Sequence, residues 1–258
     1  MKQIHAPIGS IEEVASGMFV MWLEAPEIAG QAKPGKFVMV RCGEETVLRR
    51  PLSIHRVDED SVALLFMVRG KGTDWLAHRE PGETLDIFGP MGNGFCIAPR
   101  AKNLLLVAGG IGIAPLYYLA EYAIQRKKHV TLLFGAASAD CLYPPDFLPD
   151  GMKVAIATED GSAGNKGLVT ELLAEHVVIA DQVFACGPLP MYRNMAAHKK
   201  TLGIEDKPVQ ISLEMRMGCG TGVCYSCTIR TKAGLKQVCK DGPVFNLDEV
   251  FWDEFTRC

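Results

Sequence analysis

The C-terminal end of the chain carries four cysteines spaced Cys219-x4-Cys224-x2-Cys227-x11-Cys239. This spacing restricts the fold more than any other feature. C-x4-C-x2-C followed by a single later cysteine is the plant-type [2Fe–2S] pattern, in which two irons need four thiolates. Gly218, Gly220, Gly222 and Ser226 keep the loop slim, so that backbone N–H groups can approach bridging sulfides. Structural zinc usually takes two tight pairs of the C-x2-4-C type, whereas here three cysteines crowd together and the fourth stands alone. A zinc staple and unrelated free thiols remain the competing readings.

The sequence holds nine cysteines in 258 residues. An odd count excludes a fully paired disulfide framework within one chain, and a crowded quartet in a reducing compartment points to metal. Cys42, Cys96 and Cys141 read as ordinary buried or half-buried thiols, and Cys258 as a terminal one. The first residues, Met1-Lys2-Gln3-Ile4-His5-Ala6-Pro7, lack an apolar run of signal-peptide length, so a cytoplasmic address is expected. With 48% apolar and 22% charged residues, the composition is that of a packed globular protein. A net charge of -3 argues against a broad nucleic-acid surface. Residues 104–120 are uncharged and mostly apolar, but Gly109, Gly110, Gly112 and Pro115 interrupt them. A spanning helix needs about 20 apolar residues and rarely carries so many breakers, so no membrane span is expected.

The apolar patterning changes along the chain. Before Pro99, β-rich runs such as Lys36-Phe37-Val38-Met39-Val40-Arg41 and Val62-Ala63-Leu64-Leu65-Phe66-Met67-Val68 alternate with Pro–Gly and acidic turns. Short strands at that spacing predict a small antiparallel barrel or sandwich. After Pro99, Asn103-Leu104-Leu105-Leu106-Val107-Ala108 is apolar throughout, as in a parallel strand buried on both faces. Leu116, Leu119, Ala120 and Ala123 then recur at helical spacing. Further strands follow at residues 130–134, 154–157 and 182–185, with a helical segment at 168–173 between the last two. Strands alternating with helices predict an α/β unit. The expected organisation is an antiparallel β-barrel over 1–98, a parallel-sheet α/β domain over 99–208 and a small cysteine-rich domain over 209–258. The last is too short to bury much of a core alone, so a metal staple would be physically useful there.

Two further constellations carry chemistry. Arg49-Arg50-Pro51-Leu52-Ser53 is followed by Gly70-Lys71-Gly72-Thr73. A guanidinium fork suits a pyrophosphate, and Thr73 is expected to cap a short helix over residues 74–79 whose start faces an anion. A plain turn with a capped helix is the alternative. Gly109-Gly110-Ile111-Gly112-Ile113-Ala114-Pro115 lies between a buried strand and a helix, where glycines let phosphates approach N–H groups. It departs from G-x-G-x-x-G, since Pro115 stands at the third glycine, and a structural strand–helix turn is the alternative. Cys186-Gly187-Pro188 and Thr158-Glu159-Asp160-Gly161-Ser162 fall at later strand ends, where open parallel sheets bind ligands. Cys186 reads as a small buried residue, with a role in a cofactor turn as the alternative. The six histidines show no metal spacing.

A barrel with R-P-x-S, an α/β unit with G-G-x-G-x-x-P and C-G-P, and a plant-type quartet together resemble the ferredoxin–NADP reductase superfamily with a C-terminal iron–sulfur extension. Within it the likeness is to the electron-transfer subunits of two-subunit, NAD-dependent dihydroorotate dehydrogenases. It covers essentially the whole chain. Its most specific stretches include Gly89-Pro90-Met91-Gly92-Asn93-Gly94-Phe95 and Val238-Cys239-Lys240-Asp241-Gly242-Pro243-Val244-Phe245. The resemblance implies FAD on the barrel, held by Arg50, Pro51, Leu52 and Ser53, by Leu65, Phe66 and Met67, and by Gly72 and Thr73. It implies a [2Fe–2S] cluster on Cys219, Cys224, Cys227 and Cys239. NAD is expected at Gly109, Gly110, Gly112, Pro115, Cys186, Gly187 and Pro188. The implied partner is an FMN-containing catalytic subunit, two of each chain forming a heterotetramer in pyrimidine biosynthesis. Electrons would run from FMN through the cluster and FAD to NAD+, and no side chain of this chain is implied as a catalytic acid or base.

Many superfamily members carry an arginine near Phe134-Gly135-Ala136-Ala137-Ser138-Ala139-Asp140, often linked with 2′-phosphate recognition. Its absence here favours NAD over NADP. Two other functions keep parts of this reading. Flavin/[2Fe–2S] subunits of sulfide dehydrogenases or ferredoxin–NADP oxidoreductases share the architecture with a different partner, and a zinc-stapled binding module would use none of the redox chemistry.

Overall fold

The computed structural model describes residues 1–254; Cys258 lies outside the described residues. The first strands are β1 (Lys2–Ala15), β2 (Met18–Glu24), β3 (Phe37–Val40), β4 (Arg50–Asp58), β5 (Ser61–Met67) and β6 (Thr84–Met91). They close into an antiparallel barrel in the order β1-β2-β5-β4-β3-β6. Two short helices, α1 (Pro26–Ala29) and α2 (Lys71–Ala77), lie in its connections. Alternation along β5 explains both of its surfaces. Val62, Leu64 and Phe66 enter the barrel core with Met21, Val38, Ile54 and Ile87. Leu65 points the other way and joins the core of the second unit.

That second unit contains β7 (Asn103–Gly109), α3 (Ile113–Gln125), β8 (His129–Ala136), β9 (Lys153–Thr158), β10 (Asn165–Lys166), α4 (Leu173–His176), β11 (Gln182–Cys186), α5 (Leu189–Ala197) and β12 (Val209–Ser212). β7 is central and buried on both faces, as its unbroken apolar run predicts. Leu105 and Val107 enter one core, and Leu104, Leu106 and Ala108 the other. Residues 168–173 are not one helix. A 3-10 turn, Val169–Leu172, precedes the single turn of α4.

β13 (Thr228–Thr231) and β14 (Gly234–Gln237) form a separate hairpin, followed by α6 (Val238–Asp241) and β15 (Val244–Asn246). β15 returns antiparallel onto β12, giving a seven-stranded sheet in the order β10-β9-β8-β7-β11-β12-β15. The sheet therefore takes parallel β12 and antiparallel β15 from beyond residue 208. This shared sheet lets the cysteine-rich segment borrow a core that its own length cannot supply.

The barrel and the sheet domain are joined by a buried polar strut. His55 on β4 is fully buried, and its Nδ1 donates to the Ala114 carbonyl on α3 at 3.0 Å. Its ring lies 4.4 Å from that of Tyr117. Beside it, the Arg56 guanidinium sits over Trp22 and Tyr117 and pairs with Glu121 at 3.5 Å. Among the described residues, no helix is long and apolar enough to cross a membrane.

Candidate cofactor cleft and cysteine loop

A cleft of about 1100 Å³ opens between the barrel and the carboxyl ends of the parallel strands. Its barrel wall is formed by Arg50, Pro51, Leu52 and Ser53 of β4, by Leu65, Phe66 and Met67 of β5, and by Thr73. These segments meet because β4 and β5 are neighbours in the barrel and α2 follows β5 directly. Gly72 stands behind the wall: a Cβ there would lie 2.9 Å from Arg50 Nε, so the glycine lets the guanidinium pack against α2. Arg49 is spent on Asp86, bonding its carboxylate at 2.6 Å and its carbonyl at 3.0 Å. Burial pushes the Asp86 carboxyl up, but the Arg49 hydrogen bond and charge outweigh this and hold it below the usual range.

Thr73 does not cap a helix over residues 74–79. α2 begins at Lys71, and Thr73 sits inside its first turn, where its hydroxyl accepts from the N–H groups of Arg69 at 2.8 Å and Gly70 at 3.3 Å. The helix starts earlier than its sequence suggests because Lys71 and Gly72, which look like loop residues, form its first turn.

The sheet wall is formed by Gly109, Gly110 and Gly112 after β7 and by Gly187 and Pro188 after β11. The two turns pack on each other. A Cβ on Gly112 would collide with the Cys186 carbonyl, and one on Gly109 would lie 2.8 Å from Pro188 Cδ. Gly110 adopts a φ of 54°, in the left-handed region that favours glycine. The glycines thus serve turn packing and give a ligand access to bare backbone. Pro115 and Cys186 lie behind this surface, both buried. Burial drives the Cys186 thiol well above its ordinary value, which makes it a poor nucleophile.

Sequence reasoning missed several wall residues. Tyr192 on α5 donates its hydroxyl to the Ser212 carbonyl at 2.6 Å and accepts from Gly187 N–H at 2.9 Å, tying the C-G-P turn to β12. A tyrosine a few residues beyond such a turn is a weak signal, since a buried phenol needs a polar partner. Arg69, Glu214 and Arg216 also line the cleft. The surrounding walls raise the Glu214 carboxyl above its ordinary value, opposed by Arg69.

None of the quartet cysteines lines the cleft itself; their loop packs against Met39 and Met91 of the barrel beside it, and the four fall into two pairs. Cys219 Sγ accepts from the N–H groups of Thr221 at 3.3 Å and Cys224 at 3.4 Å, and Cys224 Sγ accepts from Cys219 N–H at 3.4 Å. Cys227 Sγ accepts from Cys239 N–H at 3.4 Å. Gly220 and Gly222 take φ values of 73° and 83°, turning the chain back around the sulfurs. Ser226 Oγ accepts from Gly218 N–H and lies 3.2 Å from Cys224 Sγ. Burial raises the Cys219 thiol, but its hydrogen bonds from Thr221 and Cys224 bring it down to about 6. Burial pushes Cys239 up to about 12.

Among the described residues no three His, Cys, Asp or Glu side chains converge as one metal ion requires. Paired sulfurs with N–H groups already turned onto them suit a two-iron cluster, in which each iron takes two thiolates. The loop is anchored to the barrel. Asn93 donates to the carbonyls of Lys240 and Asp241, Asn93 N–H donates to Gly242, and a Cβ on Gly220 would lie 2.8 Å from Met39. Met217 and Pro243 carry the anchored segment into the cleft wall.

Cys96 is exposed rather than buried or half-buried; Cys42 is buried and Cys141 half-buried, as expected.

Comparison with known proteins bears on the sheet domain, the cysteine segment and the overall fold. Residues 214–251 match the iron–sulfur cluster binding domain of dihydroorotate dehydrogenase B, and residues 106–197 match the oxidoreductase NAD-binding domain. The chain is 38% identical to the dihydroorotate dehydrogenase B (NAD(+)) electron transfer subunit of Desulforamulus reducens, over 98% of this chain and 99% of that protein. The corresponding Geobacillus sp. subunit is 37% identical over 97% of this chain and 99% of that one. Among solved structures, one described as an NADH-dependent reduced ferredoxin-NADP oxidoreductase superposes with a TM-score of 0.87 and 32% identity, covering 97% of this chain and 91% of that chain. A Neisseria gonorrhoeae ferredoxin NADP+ reductase with bound FAD and NADP shares the fold, with a TM-score of 0.65 and 18% identity over 79% of this chain and 92% of that one.

Proposed function

The chain belongs to the family of electron transfer subunits of NAD(+)-dependent dihydroorotate dehydrogenase B, and from that premise we propose that it carries electrons from a dihydroorotate-oxidising partner to NAD+. The observation that supports this reading best is the two-by-two arrangement of Cys219 with Cys224 and Cys227 with Cys239, on a loop packed against the barrel beside a cleft whose far wall is the carboxyl ends of the parallel strands. In this reading Cys219, Cys224, Cys227 and Cys239 hold a [2Fe–2S] cluster. Arg50, Pro51, Leu52, Ser53, Leu65, Phe66, Met67, Gly72 and Thr73 position FAD. Gly109, Gly110, Gly112, Gly187 and Pro188 receive NAD, with Pro115 and Cys186 supporting their backbone from behind.

When bound, the flavin and the cluster supply the conversion between a two-electron hydride and single electrons. The chain's own task is orientation. The Arg50 guanidinium, packed on Gly72, is the charged fork suited to a pyrophosphate. The mutual packing of Gly109, Gly112, Gly187 and Pro188 fixes the ledge on which a nicotinamide would face the barrel. The partner in this reading is an FMN-containing catalytic subunit, two of each chain. Anaerobic purification should give about two irons and two acid-labile sulfides per chain, together with FAD. Co-purification with the partner should give dihydroorotate-dependent NAD+ reduction, and a colourless, zinc-containing chain would overturn the reading.

The 32% identity with the NADH-dependent ferredoxin-NADP oxidoreductase structure favours a second reading, a flavin/[2Fe–2S] subunit of such a complex. A native partner bearing additional clusters, with no NADH formed from dihydroorotate, would select it.

A further inference from the structure

The charges lining the cleft are divided by position. Arg49, Arg50, Arg69 and Arg216 all stand on the barrel or on the segment leading to the cysteine loop. The opposite end, at the tips of β8 and β9, is lined by Gly135, Ala136, Ala137, Gly167 and one charged side chain, Glu159. Hydride exchange requires the nicotinamide to meet the flavin at the barrel. The other end of an extended dinucleotide must then run along the strand tips toward β8 and β9, which places its adenosine ribose at the Glu159 end.

Glu159 is held there by a stiff frame. Its N–H donates to the Ala136 carbonyl at 3.1 Å, and the next residue's N–H donates to Ala137 at 3.2 Å. Thr158, fully buried at the end of β9, donates its hydroxyl to the Ala163 carbonyl and accepts from Ala163 N–H. Asp160 is engaged within the loop, accepting from the Ser162 N–H at 2.9 Å and the Ser162 hydroxyl at 2.6 Å. Among the described residues nothing pairs with the Glu159 carboxylate. Lys166, a cation on the same loop, packs its methylenes over Gly161 and is not part of the cleft wall.

We infer that Glu159 is the specificity residue of the dinucleotide site, accepting the free ribose hydroxyls of NAD and rejecting the 2′-phosphate of NADP. This rests on the NAD-reducing function proposed above and names the group that enforces it. A carboxylate accepts a charge-assisted hydrogen bond from a ribose hydroxyl. Placed against a phosphate, the same charge is repulsive, and the lining arginines belong to the barrel and the segment leading to the cysteine loop rather than to the tips of β8 and β9.

The test titrates the holoprotein with ADP-ribose and with 2′-phospho-ADP-ribose, reading heat of binding, and separately follows flavin reduction by NADH. The native chain should bind ADP-ribose at least about tenfold more tightly than its 2′-phosphate. Glu159→Gln should lose most of that preference, and Glu159→Lys should reverse it. Glu159→Ala serves as a second neutralising variant in case the glutamine rebuilds the hydrogen bond. Glu205→Gln, an exposed change of equal charge at a residue that does not line the cleft, should leave the ratio unchanged. A preference retained in Glu159→Gln and Glu159→Ala, with NADH still reducing the flavin, overturns this inference alone. A native chain that binds neither ligand and whose flavin NADH does not reduce overturns the functional reading as well.

Discussion

The barrel and the cysteine loop pack together beside the same cleft, but different forces hold them. In the barrel, Val62, Leu64 and Phe66 sit in an interior closed by six strands, with no more than a few percent of their surface exposed. Each of those strands is hydrogen-bonded to a neighbour on both sides, and apolar burial supplies the stability. In the loop, Val223 and Tyr225 are 76% and 68% exposed, and the chain reverses through left-handed Gly220, Gly222 and Tyr225. Its exposed turn is held by N–H groups directed at sulfur, while Cys227 and Cys239 are buried in the core shared with the sheet. The barrel is built to stand by its own packing, whereas the loop is shaped around something that its sulfurs hold.

The strongest way to break this contrast is Cys224→Ser. Loss of a direct ligand should exceed the 10- to 100-fold cost typical of disturbing a supporting residue, so electron delivery to the partner should fall by about 100-fold or more. Because Cys224 is exposed, the barrel should be undisturbed. Iron analysis should show the cluster lost, while stopped-flow mixing with NADH should still reduce the flavin. A variant that keeps its iron would mean that the loop is shaped by its backbone alone.

Leu64→Ala makes the opposite cut. Leu64 is 1% exposed inside the barrel, and removing its side chain should cost about 3 kcal/mol. Denaturant unfolding should register the loss in the barrel. Iron content of the folded fraction should be unchanged, because Leu64 belongs to a core cluster that contains none of the quartet cysteines. If iron and stability fell together, the two regions would be one cooperative unit and the contrast would collapse.

Much of this division was legible in the residues. The apolar run at 103–108 announced β7 because a strand buried on both faces has no polar side to show. The quartet's spacing announced its chemistry because cluster geometry fixes how many residues separate the ligands. What escaped was set by contacts distant in sequence. Val244-Phe245-Asn246 carries no sign that it will return to pair with β12. In the sequence Glu159 reads as part of a turn, and only strand order brings it to the far end from the arginines. Gly112 looked like a phosphate-binding glycine, and its close packing against the Cys186 carbonyl depends on a second turn more than seventy positions away.

The junction between barrel and sheet domain offers a smaller, pH-dependent test. Burial, aided by the Arg56 charge and opposed by the bond to Ala114, lowers His55 from 6.5 to about 3. Its Nε2 has no partner, so a second proton would be buried without an acceptor. The unfolded chain takes up that proton below pH 6.5 and the folded chain does not. His55 therefore costs the protein stability as pH falls from about 6.5 toward 3, by up to about 1.4 kcal/mol per pH unit. His55→Phe should flatten the dependence of the urea midpoint on pH by about that slope between pH 4 and 6. An unchanged slope would mean that the strut opens to water before His55 protonates.

The smallest expected effect separates exposure from function among the thiols. Cys96 and Cys224 are both exposed, so accessibility cannot explain why one should matter and the other should not. The difference lies in what faces the sulfur. Around Cys224, Cys219 N–H and the Ser226 hydroxyl approach Sγ. At Cys96 the structure engages only the backbone, with the N–H donating to the Gln210 side chain and the carbonyl accepting from Gln182 and Gln210. Cys96→Ser should therefore change stability by less than about 0.5 kcal/mol and leave iron content and electron delivery at native levels. Burial pushes the Cys42 thiol up to about 11, which places it on the inert side of the same line. Loss of iron in Cys96→Ser would show that the sulfur-directed N–H groups do not identify the ligands, and the assignment of the quartet would have to be redrawn.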